Sequence, residues 1–280
     1  MKGKQKVRKF YRAVIAELTE NRNTFLVYVG LRMLVVGVMI LQAFNHNYEN
    51  VFLCILTLIL MIMPSVVQAT FRVELPSALE IIILCFIFSA EILGEIRAFY
   101  VRFPYWDTVL HTLNGFLCAA VGFSLVDILN RDKRLKFELS PLFMAITAFC
   151  FSMTIGVLWE FFEFAMDSLW HLDMQKDTVI HSIYSVMLDP THQNMRVGIT
   201  DIQNVVIDGK VLGLGGYLDI GLIDTMCDLI VNFIGAVTFS AMGFFYVKHR
   251  DRASLVEKLV PERWSKEKQE KQEKEESENV

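Results

Sequence analysis

The sequence has little of what marks a soluble catalytic domain. Its five cysteines, Cys54, Cys85, Cys118, Cys150 and Cys227, form no C-x-x-C pair. A disulfide framework is therefore not indicated, and they read as small apolar fillers. The glycine-rich stretch Leu212-Gly213-Leu214-Gly215-Gly216 is not followed by Lys-Ser/Thr, which excludes a phosphate loop. No separate basic domain is present, so nucleic-acid binding is excluded. No Ser-His-Asp arrangement emerges: Ser152 lies in an apolar run, and nothing places His111 against it. There is no pair of Gly/Pro-broken helices and no inverted repeat, which counts against a carrier of that architecture. No small-residue cleavage site follows Gln42 and Ala43, so the first apolar run reads as retained.

What the chain does have is apolar length. Of its 280 residues, 54% are hydrophobic, against about 45–50% in an average soluble domain. A bilayer span needs about 20 mostly apolar residues. Runs of that kind predict six spans, at about 24–44, 51–69, 76–97, 106–129, 141–169 and 218–247. The expected fold class is all-α, a polytopic membrane helix bundle in the cell membrane, with the lipid bilayer as its first partner.

Orientation follows from the basic residues. Lys2, Lys4, Lys6, Arg8, Lys9 and Arg12 precede the first span. Arg131, Lys133, Arg134 and Lys136 fill the 130–138 joint, and Lys248, His249 and Arg250 follow the last span. The 45–50 joint has no Lys or Arg. Six crossings place all three clusters in the cytoplasm, with both termini there and the 170–217 loop outside. Residues 1–22 read as a basic amphipathic segment on the anionic inner surface, or as an ordinary positive flank. Residues 23–247 form the membrane domain, and 248–280 a charged, largely disordered tail.

Ionisable residues interrupt the last three spans. Asp107 and His111 are spaced i+4, Glu160 and Glu163 i+3, and Asp224 and Asp228 i+4, so each pair shares a helix face. All fall near the outer end, roughly 5–15 Å below the edge at 1.5 Å per residue. Asn114, Asp167 and Asn232 extend the same faces. Intramembrane charge is costly and tends to mark function. Asp107 also suits a helix start. Glu91 and Glu95 form another i+4 pair at an outer end, which reads equally as interfacial.

Carboxylates crowded in a low dielectric cannot all ionise. A cation, shared protons, or Arg97 and Arg102 at the rim must neutralise them. Oxygen-rich sites suit Mg, Ca or Mn, and a mixed His-carboxylate site also takes Zn or Fe. The expected metal ligands are Asp107, His111, Glu160, Glu163, Asp224 and Asp228. Glu160 and Asp228 are the expected catalytic pair, with a divalent metal ion as cofactor. The alternative is a proton relay through His111 and a buried Glu.

The motifs carry a resemblance. Trp106-Asp107-Thr108-Val109-Leu110-His111 with Asn114-Gly115 resembles the Asp-x-x-x-His helix of YjdF-like bacterial inner-membrane proteins. Trp159-Glu160-Phe161-Phe162-Glu163 resembles their paired-Glu helix. Asp224 to Asp228, with Asn232 and Gly235-Ala236, resembles their final helix. The likeness covers roughly 106–247. A fainter similarity to VanZ-like proteins lies in the same order of acid-bearing helices. The resemblance implies the site residues rather than any reaction.

Three functions remain open: a metal-dependent hydrolase or transferase acting on a lipid or lipid-linked substrate, a cation- or proton-coupled carrier, and a scaffold tied by polar contacts. Polar contacts in membranes contribute only about 0.6–2 kcal/mol, so a scaffold does not require so many acids. In the outer loop, Asp208-Gly209 between Val205-Val206-Ile207 and Lys210-Val211-Leu212 predicts a hairpin. His171, His181 and His192 read as exposed loop residues.

Overall fold

The computed structural model describes residues 22–71, 73–130, 138–249, 256 and 259–263. The amphipathic segment expected at 1–21, the basic cluster at 131–136, and the tail beyond 263 lie outside the described residues. The fold is mostly helical, and six helical stretches are long and apolar enough to cross a membrane.

The first span is α1 (Arg22–Phe44). The second span, Tyr48–Thr70, is present as expected and is built of α2 (Tyr48–Leu60) and α3 (Met63–Phe71), separated by a turn at Met61 and Ile62. Pro64 gives the reason. It has no N–H for the Leu60 carbonyl, and its ring crowds that carbonyl. The α2 start is set by Asn47, whose side chain accepts from the Asn50 amide at 3.1 Å.

A strand β1 (Val73–Glu74) fills the joint to the third span. Buried Gln68 fixes this joint by accepting from the Leu75 amide at 2.9 Å. The third span begins as α4 (Ser77–Phe88) and continues as a π-helical stretch, Ser89–Ile96. That stretch carries Glu91 and Glu95. A short α5 (Phe99–Arg102) follows.

The fourth span is α6 (Trp106–Asn130), and the fifth is α7 (Pro141–Trp170). Ser140 accepts from the Phe143 amide at 3.2 Å and so caps α7, with Pro141 at the first helical position. The sixth is α8 (Leu222–Lys248). It begins four residues later than the hydropathy indicates, because Tyr217 and Leu218 are drawn into a strand pair and Gly221 turns the chain at φ 83°.

The helices cluster in two compact units, residues 1–153 with 232–280, and residues 154–231. Helices α7 and α8 each run through both. The larger unit holds two cores. One joins the first three spans through Tyr28, Val35, Cys54, Met61, Leu84 and Ile92. The other joins α6 with the first half of α7 and the second half of α8, around Ala119, Phe123, Met144, Ala148 and Phe239. Glycine brings these helices together. A Cβ on Gly115 would sit 2.1 Å from the Asn232 carbonyl oxygen, and one on Gly235 would sit 2.0 Å from that of Thr112. Such backbone-to-backbone contact is how membrane helices associate without a hydrophobic driving force. Ser152 adds α7 by donating its hydroxyl to the Gly115 carbonyl at 2.7 Å.

The chain beyond α8 returns to this unit. Val256 and Val260 are buried in the second core. Strand β8 (Glu262–Arg263) pairs antiparallel with β1, Glu74 opposite Glu262. That part of the expected tail is thus packed.

The smaller unit contains the C-terminal half of α7, the loop that follows it and the N-terminal part of α8. Strand β2 (Val179–Ile180) pairs with β7 (Tyr217–Leu218) and closes the loop at its base. Strand β3 (Ile183–Ser185) pairs with β4 (Val197–Ile199). The predicted hairpin is present as β5 (Val206–Ile207) and β6 (Lys210–Val211). Asp208 and Gly209 turn it with φ of 50° and 79°, as a tight hairpin requires.

Candidate functional site

The smaller unit buries the acids of α7 and exposes the aromatics beside them. Phe161 and Phe164 are 64% and 62% exposed, whereas Glu160 and Glu163 are 5% and 7% exposed. In water this would be inside out. In a bilayer it is the arrangement that keeps charge away from lipid.

Asp228 on α8 is also buried. Glu160, Glu163 and Asp228 each offer a carboxylate oxygen, and these three oxygens lie within 4.8 Å of one another. The i+3 spacing puts both glutamates on one face, and Asp228 comes from the neighbouring helix. Trp159 donates its indole N–H to Glu163 Oε1 at 2.9 Å and fixes that side chain. Three buried oxygens at this spacing suit a hard cation.

The other sequence candidates are placed differently. Asp107 and His111 belong to the larger unit. They lie in the first turns of α6 and pair with each other, His111 Nε2 to Asp107 Oδ1 at 3.5 Å. An acid at that position also complements the helix N-terminus. One turn on, Asn114 Nδ2 donates to Asn232 Oδ1 at 3.3 Å. The polar line continuing from His111 along α6 thus ends in an amide pair.

Asp224 serves the loop. Its Oδ2 accepts from the Lys176 amide at 2.7 Å. Asp167 accepts from the Met174 and Gln175 amides at 2.7 and 2.8 Å. Asp219 accepts from the Thr178 amide at 2.7 Å and from the Ile223 amide at 2.8 Å, which also caps α8. Three carboxylates thus hold the backbone of 174–178 where the loop leaves the membrane. Desolvation first, then the charges of Asp173, Asp219 and Asp167, push the Asp177 carboxyl above its usual range, and Lys176 opposes them.

Sequence reading misses several of these groups. Asp219 was in reach, as an acid just before a glycine turn and a helix. Asp189 was not. Its carboxylate accepts the Thr191 hydroxyl, at 2.6 Å, and the amides of Thr191, Gln193 and Met195. These bonds, the Thr191 hydroxyl foremost, lower its pKa to about 2. Asp127 is buried on α6 and Arg32 lies inside α1, where it donates to the Leu58 carbonyl at 3.2 Å. Both were visible as charges within apolar runs. Among the described residues, Glu91 and Glu95 join no cluster of metal-ligating groups.

Comparison with known proteins agrees with a membrane bundle. A protein of Thermotoga maritima described as "Uncharacterized protein" is 25% identical over 128 residues, 44% of this chain. The chain covers 64% of that relative's length. No solved structure matches. The profile of the family DUF2238, "Predicted membrane protein", matches residues 27–249. That match takes in most of the first span, the other five whole and both acid-bearing helices of the triad, and by it the chain belongs to the DUF2238 family.

Proposed function

We propose that this integral membrane protein binds a divalent metal ion at Glu160, Glu163 and Asp228 and acts as a hydrolase or transferase on a lipid or lipid-linked substrate. The observation that carries the reading is the approach of three buried carboxylate oxygens to within 4.8 Å. Carboxylates held so close out of water do not all ionise unless a cation or shared protons offset them. The donor set, all oxygen, favours Mg, Ca or Mn. A metal held by these residues would supply Lewis acidity and an activated water. Within the site, Glu160 and Asp228 would be the groups that hold and move a proton. Glu163, fixed by Trp159, is assigned to orient the ion.

Asp107 and His111 stay candidate ligands on their spacing, and Asp224 is assigned to the loop. The positive-inside pattern supports an opening toward the extracytoplasmic side. The ordered motifs also support kinship with YjdF-like inner-membrane proteins.

Elemental analysis of the detergent-purified protein tests this reading. Stoichiometric metal is expected in the wild type, and its loss in Glu160→Ala and Asp228→Ala. His111→Ala in the same assay shows whether the α6 pair contributes. A well-folded wild type without metal would overturn the enzyme reading. The triad would then share protons, as a proton-coupled carrier requires.

A further inference from the structure

The larger unit carries a groove of about 410 Å³ between α6 and α8. It is lined by Thr108, Val109, Thr112 and Phe116 on α6 and by Gly235 and Thr238 on α8. The glycine contact that draws the helices together also forms its base, because Gly235 adds no side chain where it meets the Thr112 carbonyl. The threonines do not make it polar. Thr112 donates its hydroxyl to the Thr108 carbonyl at 2.7 Å, and Thr238 to the Ile234 carbonyl at 2.7 Å. Neither hydroxyl needs a partner from the groove.

Two further observations identify the occupant. The groove is continuous with the lipid-facing surface. Val109 is 57% exposed on its wall, and Ile234 and Val237 are exposed beside it on α8. These residues lie on membrane spans, so lipid tails are the surrounding solvent. The groove is also the right size for a tail. From Thr108 to Phe116 the α6 wall is roughly 12 Å long at 1.5 Å per residue, which suits part of one lipid tail.

We propose that this groove binds the acyl chain of a membrane lipid. This site is separate from the function proposed above and does not depend on the metal. Its occupancy is measurable without turnover.

The test uses the full chain in nanodiscs containing a phospholipid with a photoactivatable diazirine in its acyl chain. After illumination, lipid adducts are mapped by peptide mass spectrometry. Adducts on 108–116 and 235–238 are expected to exceed those on the lipid-facing residues Met33 and Leu41 of α1 several-fold. Thr238→Phe fills the groove from an exposed position. It is expected to cut the groove adducts several-fold and leave the α1 adducts unchanged, whereas Thr238→Val keeps both. Equal labelling of groove and α1, or labelling unaffected by Thr238→Phe in protein that melts like the wild type, would overturn the proposal. Metal content measured on the same sample separates the two readings. Metal without groove adducts defeats only the lipid site, and groove adducts without metal defeat only the metal site.

Discussion

Gly235 and Gly115 are single atoms short of a clash. Alanine in place of either gains about 1 kcal/mol of helix propensity. Its Cβ would lie 2.0 or 2.1 Å from a backbone oxygen of the facing helix, and a backbone cannot rotate away. Overpacking of this kind costs typically about 1–3 kcal/mol, so the clash wins. Gly235→Ala is expected to lower the melting temperature in detergent. Gly30→Ala, with nothing within 4 Å of the added atom, is the control and is expected to leave it equal or higher. At Trp159, replacement by Phe removes the indole bond to Glu163 Oε1 and keeps the ring. On the proposed metal reading, affinity is expected to fall about 10- to 100-fold, the effect usual for supporting partners of ligands. Isothermal titration with Mn measures it, and unchanged affinity would remove Glu163 from the ion.

Asp189 gives a pH dependence with a definite sign. Its folded pKa, about 2, lies below the ordinary value, which is about 3.9. Its ionised form therefore favours the folded loop above about pH 4, and that contribution is lost as pH falls through about 2. Pepsin cleavage next to Met187 and Leu188 is expected to be slow at pH 4 and to accelerate toward pH 2. In Asp189→Ala the protection should already be absent at pH 4.

At the scale of elements, spans were readable because their signal is additive over about 20 residues. Five of the six begin and end within about three residues of the hydropathy pattern, and Leu222 is displaced only because Tyr217 and Leu218 pair with Val179 and Ile180. The Glu160/Glu163 face was readable for the same reason: spacing alone sets which residues share a helix face. The partners of Asp167, Asp219 and Asp224 were not. They are backbone amides of 174–178, which no residue type announces. The consequence is testable. Asp167→Ala and Asp224→Ala each leave one or two loop amides without an acceptor, and hydrogen exchange at Met174, Gln175 and Lys176 is expected to quicken. Asp224→Ala should do so without loss of bound metal, whereas Asp228→Ala should lose the metal and leave the loop amides protected. The reverse result would exchange the roles assigned to these two aspartates.

Across the whole molecule, strand β8 ties two distant segments together. The joint between the second and third spans and the segment after the sixth span lie at one end, since Val73 and Glu74 pair with Arg263 and Glu262. An even number of crossings between them is required, and the four intervening spans supply it. Removing the chain after His249 deletes Val256 and Val260, both buried. Each such side chain contributes about 1.5–3 kcal/mol, so the truncated protein is expected to melt several degrees lower in detergent. An unchanged melting temperature would make the β1–β8 pairing incidental.

That pairing also bears on how the protein is made. Spans enter a membrane in the order of synthesis, but the partner of residues 73–74 is translated almost two hundred residues later. The hairpin of the second and third spans therefore waits with one backbone edge open while the rest of the chain is threaded. Contacts so distant in sequence are slow to form. Maturation ends only when the carboxy-terminal stretch has left the ribosome, and a chain interrupted just short of it would sit fully inserted yet unlatched.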